Sequence, residues 1–350
     1  MTSAGAPPPV AIPLFLTNSR VLSLGLAAVD LLARVPAFPR PDEKIRTTAL
    51  DVLGGGNAAN TLTALRRLGV PCALASKLGD DMYGRVALRE LQADGIDTRF
   101  VRVCPYVNTT FTYVIVDNAH NTRTCISTPA SEDLFESDID HSMLDGVQLL
   151  LLDGRHTLAA VRLAQLAKQR EIPILLDIER ERPHIRQLLS YADYVITNSM
   201  YPQVFAPDAK QPSQALQQLL EYCDARFVIS TRGASGSVLV RENTARKKGF
   251  SPSLKVHSCS FVDAESKREY EVIECAAWPV EQIVDSTGAG DAFIAGVAYG
   301  VLTDMDLEGM LSLGAYIAAT KLSGVGSRSA LPRREDIGEH LLGGFPALSD

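Results

Sequence analysis

From residue 147 onward the chain alternates between two kinds of segment, and this rhythm limits its possible folds more than any other feature. "VQLLLLDG", "IPILLDI", "YADYVITN" and "RFVIST" are short runs that are apolar almost throughout. Between them, Leu158–Lys168 and Gln214–Cys223 carry apolar residues at helical spacing. A strand that is apolar at every position must bury both of its faces. A parallel sheet covered by helices on both sides meets that demand, so the rhythm predicts a doubly wound, mostly parallel α/β sheet.

The first half is less regular. "RVLSLGLAAVDLLARV" reads as an apolar strand from Val21 that ends near Asp30. A polar, proline-bearing stretch follows, and "KIRTTALDVL" alternates like an exposed strand. In "NAANTLTALRRLG", Ala58, Leu62 and Leu65 share one helical face, with Asn57 as N-cap and Gly69 as the stop. "CALASKLG" reads as a strand and Met82–Ala93 as a helix. Three β-rich runs follow at Arg99–Val103, Thr110–Val116 and Arg123–Thr128. A small β-rich excursion is therefore expected from 36–53 and 99–128. The segment 241–280 breaks the rhythm with charge runs and reads as hairpins with long loops. Two helices rich in small residues start at Gly290 and Leu307. Residues 1–20 are proline-rich and aperiodic, a flexible tail ahead of one domain over 21–350.

Composition removes several classes of function. The net charge of −7 comes with no basic stripe, which disfavours nucleic acid and anionic membrane surfaces as partners. No apolar run approaches the roughly 20 residues of a membrane span. The 6 cysteines lie far apart without CxxC spacing, which points to reduced thiols rather than zinc, and the 6 histidines never pair at metal-ligand spacing. The tail has no basic n-region. Cytoplasm is favoured, and an organelle stays open.

The chemistry concentrates in "IVDSTGAGDAFIAG", Ile283 to Gly296. Gly288 and Gly290 let successive backbone N–H groups point one way, and a helix starting there adds its positive dipole end. A polyphosphate suits such a turn. Asp291 is the exception, because a carboxylate repels phosphate. At a helix N-terminus its pKa is expected to be lowered and the group ionised. It makes sense there if it takes a proton from an alcohol attacking that phosphate; the alternative is an ordinary first-turn acid. "GGGNAAN" sets Asn57 and Asn60 on one side of a helix start, and amides that donate and accept together suit sugar hydroxyls. The alternative is an N-cap and a surface amide. Asp30 lies just past the end of the first strand, at the carboxyl edge where α/β sheets bind ligands; the alternative is a loop acid. GxxxxGK[ST] is absent and no GxGxxG follows a strand, so P-loop and dinucleotide-binding readings are poor.

Together these positions resemble the PfkB/ribokinase family of carbohydrate and nucleoside kinases, from about Val21 to about Pro332. "GGGNAANTLTALRRLG" is similar to the family's first signature and "DSTGAGDAFIAG" to its second. "GLAAVD", "GGNAAN", "NTRTC" and "DGRH" are most similar to its ketohexokinase-like members. The resemblance implies Asp291 as catalytic base and Gly288, Ala289 and Gly290 as the anion hole. It implies Asp30, Gly56, Asn57 and Asn60 as sugar ligands, with Arg123 on a lid strand near the sugar or phosphates. Thr231, Gly233, Gly236 and Asn198 match the nucleotide side. Asp285 and Thr287 match positions that help form a monovalent cation site in potassium-activated members. ATP and Mg²⁺ are implied, K⁺ in those members, and a β-lid through which two subunits can pair as a homodimer. Arg155 and His156, after a strand end, either line the site or lie on a surface loop.

One departure stands out. Many members carry Asn-x-x-Glu to organise magnesium, but here Asn198 is followed at the third position by Tyr201. Two rivals remain open. One is a nucleoside acceptor, for which the lid offers Phe111 and Tyr113. The other is a non-catalytic assembly protein of the same fold.

Overall fold

The structure is a computed structural model, and it describes residues 20–120, 122–243, 256–263 and 267–342. The expected N-terminal tail, except Arg20, and residues 244–255 and 264–266 of the charged 241–280 segment lie outside the described residues.

Two sheets carry the fold. Among the described residues the larger has ten strands. Seven of them are parallel, in the order β11 (Phe227–Thr231), β10 (Tyr194–Asn198), β9 (Ile174–Ile178), β8 (Leu149–Leu152), β1 (Val21–Leu24), β4 (Cys72–Gly79) and β5 (Asp97–Cys104). β12 (Ser237–Glu242), β14 (Glu269–Cys275) and β13 (Val256–Val262) extend it antiparallel beyond β11. The smaller sheet runs β3 (Ala49–Gly55), β2 (Ala28–Val35), β6 (Phe111–Asp117), β7 (Thr122–Thr128). Among the described residues no helix is long and apolar enough to cross a membrane.

The apolar strands do bury both faces. Leu149 and Leu151 join one core with helices α1 (Asn57–Arg67), α2 (Met82–Ala93), α7 (Ala289–Leu302) and α8 (Leu307–Lys321). Leu150 and Leu152 point the other way. Their core includes α3 (Thr157–Gln169), α4 (Ile185–Leu189), α5 (Tyr201–Phe205) and α6 (Pro212–Cys223). Side chains alternate across a strand, so an uninterrupted run of leucines feeds two cores at once.

Three sequence expectations change. The run from Val21 is two strands rather than one, broken at Gly25–Ala27. β1 stays in the main sheet, and β2 leaves for the small one. Asp30 therefore lies within a lid strand, opposite Leu53 and Thr112, rather than past the end of a core strand. The run at Arg99–Val103 belongs to β5, which pairs parallel with β4 and is not part of the lid. Gly56 is the N-cap of α1, with φ of 96°, and Asn57 is the first helical residue. A side chain at Gly56 would also drive into the Leu26 carbonyl, 2.3 Å from an added Cβ, so glycine is required there.

The chain winds outward in one direction through β1, β4 and β5 and in the other through β8 to β11. The order reverses between β1 and β8, and the carboxyl end of that switch is where open α/β sheets form their crevice.

Candidate active site

The crevice fills from the switch outward. Asp153, just past β8, accepts from the backbone N–H groups of Leu26 (2.7 Å) and Ala58 (3.2 Å), joining the exit of β1 to the start of α1. Asn57 projects from that helix start and donates to Asp177 Oδ2 at 3.4 Å. Asp177 and Glu179 stand at the end of β9. They line one small cavity with Asn198, Thr231, Gly290 and Asp291. Main-sheet register sets Asn198 directly opposite Thr231. Gly233 and Gly236 follow in the turn to β12, both at positive φ.

Asp291 sits at the third position of α7, behind the N-cap Gly288. Gly288 has φ of 78°, and a Cβ there would come within 2.7 Å of Ser327, so the turn packs directly on the 324–328 loop. The intrahelical ladder starts with Ala292 N–H to the Gly288 carbonyl at 2.9 Å. The N–H groups of Gly290 and Asp291 precede that ladder, and a Cβ added at Gly290 would meet nothing within 4 Å. Ala289 N–H bends back toward the Ser286 carbonyl at 3.3 Å, so it is the least free of the expected anion-hole donors.

The Asp291 carboxyl accepts from Asn60 Nδ2 at 2.7 Å. Asn60 Oδ1 in turn accepts from Ser327 Oγ (2.8 Å) and Arg328 Nε (2.9 Å). This amide has used both acceptor sites and one of two N–H donors on protein groups, leaving one N–H for a ligand. Burial raises the Asp291 pKa to about 7. The Asn60 hydrogen bond works against that rise, and Glu179, Asp153 and Asp30 add to it. The helix end was expected to lower this pKa; desolvation and three neighbouring carboxylates outweigh it. Burial likewise takes Asp30 to about 6, with Arg328 pulling it down, and Asp177 well above the usual carboxylate range.

Arg123 reaches across from β7 to the core. Its guanidinium donates to Thr287 Oγ1 and to Asp285 Oδ1, the latter at 3.3 Å. Asp285 also accepts from Thr287 N–H and Oγ1 and from Gly326 N–H. Burial raises its carboxyl, but those hydrogen bonds and Lys321 leave it below the usual range. Lys321, fully buried, donates to the carbonyls of Asp285 (2.6 Å) and Gly324 (3.2 Å); burial lowers its ammonium to about 8.

Asn198 donates to the Glu179 carbonyl at 3.0 Å, and Tyr201 gives its hydroxyl to Glu181 at 3.1 Å. Among the described residues no group of three or more His, Cys, Asp or Glu is arranged to hold a metal ion by itself. Arg155 lines a separate open cleft with His156, whose ring bonds Asp133 at 2.8 Å.

Sequence reasoning passed over Asp153, Asp177, Glu179, Ser327, Arg328 and Lys321. Acids closing apolar runs, as in "LLLLD" and "ILLDIE", are the signal that finds the first three. The last three have no such signal, because only the packing of α8 under α7 brings them to the site.

The profile described as pfkB family carbohydrate kinase matches residues 18–334. The chain is 23% identical over 321 residues to ribokinase of Bacillus subtilis (strain 168), covering 91% of this chain and 98% of that one. It is also 23% identical over 317 residues to ketohexokinase of Mus musculus, covering 87% and 96%. The solved structure of Arabidopsis thaliana ribokinase complexed with ribose and ATP shares the fold. Its TM-score is 0.73 at 20% identity, over 93% of this chain and 99% of that one. Equal identity to the first two relatives does not choose between their acceptors.

Proposed function

The chain belongs to the pfkB family of carbohydrate kinases, and from that premise we propose that it moves the γ-phosphoryl group of ATP onto a hydroxyl of a ketohexose- or ribose-like sugar, with Asp291 as the general base. The observation that carries this reading is the Asp291 carboxyl itself. It is buried, raised to about 7, oriented by Asn60, and one residue from Gly290 in the first turn of α7. A base with a pKa near the working pH is well matched to taking an alcohol proton.

The step balances simply. The acceptor hydroxyl gives its proton to Asp291, its oxygen bonds to the γ-phosphorus, and the bond to the β-phosphate oxygen breaks to release ADP. The N–H groups at the start of α7 hold the transferring oxygens. Asp30 and Asn57 hold the sugar hydroxyls beneath Gly56, and the remaining N–H of Asn60 adds a third contact. Thr231, Gly233, Gly236 and Asn198 bind the nucleotide at the ends of β10 and β11.

Asp177 and Glu179 offer the hard oxygen donors that magnesium takes, in place of the acid that Tyr201 replaces, and Asn198 anchors Glu179 through its carbonyl. A bound Mg²⁺ supplies charge neutralisation on the phosphates. The protein works in the cytoplasm and pairs through its lid. Support for the pairing is an apolar row across that sheet, in which Val52, Tyr113 and Ile126 are 40%, 47% and 54% exposed and aligned through Leu31.

A coupled ADP assay with ATP and Mg²⁺ across fructose, other ketoses, ribose and adenosine tests the reading. Turnover with one sugar supports it. Turnover with adenosine alone assigns the site to nucleosides. ATP binding without any turnover across the panel contradicts it.

A further inference from the structure

The resemblance offers Asp285 and Thr287 to a monovalent cation, but the oxygens there already face donors. Asp285 Oδ1 takes Thr287 N–H, Thr287 Oγ1 and the Arg123 guanidinium, and Oδ2 takes Gly326 N–H at 2.8 Å. The Asp285 carbonyl takes the Lys321 ammonium at 2.6 Å, and the same ammonium reaches the Gly324 carbonyl at 3.2 Å. A potassium ion needs lone pairs free of hydrogens. Here it would instead meet N–H groups, the buried Lys321 ammonium and the Arg123 guanidinium beside one carboxylate. The residues present do not fit K⁺.

We propose that Lys321 is this chain's built-in monovalent cation, a positioning residue whose ammonium organises the phosphate-binding turn and makes added potassium unnecessary. An ammonium group is close to potassium in size and, like it, attracts backbone carbonyls. Lysine supplies that charge on a tether, with three donors and no counter-ligand to recruit. Its side chain is 0% exposed, so the charge cannot exchange with solvent ions. By gripping Asp285 and Gly324 together, Lys321 ties the segment entering the turn to the loop beneath it. Ser327 on that loop touches Gly288, where a Cβ would come within 2.7 Å, and donates to Asn60, which donates to Asp291. The grip therefore reaches the base through two hydrogen bonds. Its catalytic consequence rests on the function proposed above; the cation replacement itself does not.

The test separates the two. Thermal midpoints of the full chain are measured against KCl at constant ionic strength, with choline chloride as balance. The wild-type midpoint should not move with K⁺. Lys321→Ala, which opens the carbonyl cage, should start lower and rise saturably with K⁺ or ammonium, but not with choline. A saturable K⁺ shift in the wild type overturns the proposal even if the variant fails to fold. Absence of any K⁺ or ammonium effect in a folded Lys321→Ala also overturns it. Once the acceptor is known, wild-type kcat should be flat in K⁺. Lys321→Ala should lose about tenfold or more in kcat, with KM for the sugar little changed, and regain part of it with K⁺. Lys321→Met at full kcat in potassium-free buffer contradicts the positioning role.

Discussion

At the scale of single residues, the proposed base sets the expected pH behaviour. Asp291 titrates near 7 in the fold against an ordinary 3.8, so kcat/KM should fall about tenfold per pH unit below that value. A pH–rate profile of the wild type shows whether it does. Asn60 donates to the ionised form, so Asn60→Ala removes a lowering influence. The same profile in that variant should have its rising limb moved to higher pH. The raised pKa also has a stability sign. The folded protein binds this proton more tightly than the unfolded chain, so stability declines as pH climbs from about 4 through 7. Asp291→Asn should raise the thermal midpoint at pH 8, by an amount on the order of a few kcal/mol of stability, and the gain should shrink at pH 5. The signature residues Asn57, Asn60 and Asp291 were legible in the sequence because they cluster in two short motifs. Ser327 and Arg328 were not, because they touch Asn60 from 267 and 268 positions away. Arg123 was legible as a lid residue, but its clasp on Asp285 depends on how the lid lands.

At the scale of elements, α7 has to lie close against α8 for its N-terminus to face the crevice. Gly296 allows this, since a Cβ there would stand 2.6 Å from Gly314 Cα. Gly296→Val should therefore push the helices apart. The expected cost is about 1–3 kcal/mol, read as a lower thermal midpoint, together with reduced kcat as Asp291 moves with its helix. The strands from β8 to β11 were legible because double burial makes them apolar at every position. The break at Gly25–Ala27 was not, since both β1 and β2 are buried and apolar. Burial alone does not say which sheet a strand joins. β5 was assigned to the lid because its mixed exposure resembles a lid strand, which is also what an edge position in the main sheet produces.

At the scale of the whole molecule, the proposed phosphoryl transfer requires the two sheets to meet. The lid supplies Asp30, the core supplies Asp291, and Arg123 on β7 joins lid to core through Asp285. The lid's outer apolar row predicts a dimer in solution. Paired Tyr113→Glu and Ile126→Glu changes should shift the sedimentation mass to that of a monomer. The doubly wound core was legible from periodicity, whereas the split of its first strands between two sheets followed only from the topology. The central claim is that Asp291 takes the acceptor's proton. The most direct measurement compares single-turnover phosphoryl transfer by wild type and Asp291→Asn, with ATP and sugar binding measured separately. The account predicts a loss of about 10²–10⁴-fold in the chemical step with both ligands still bound. Transfer at a near-normal rate in Asp291→Asn would contradict it.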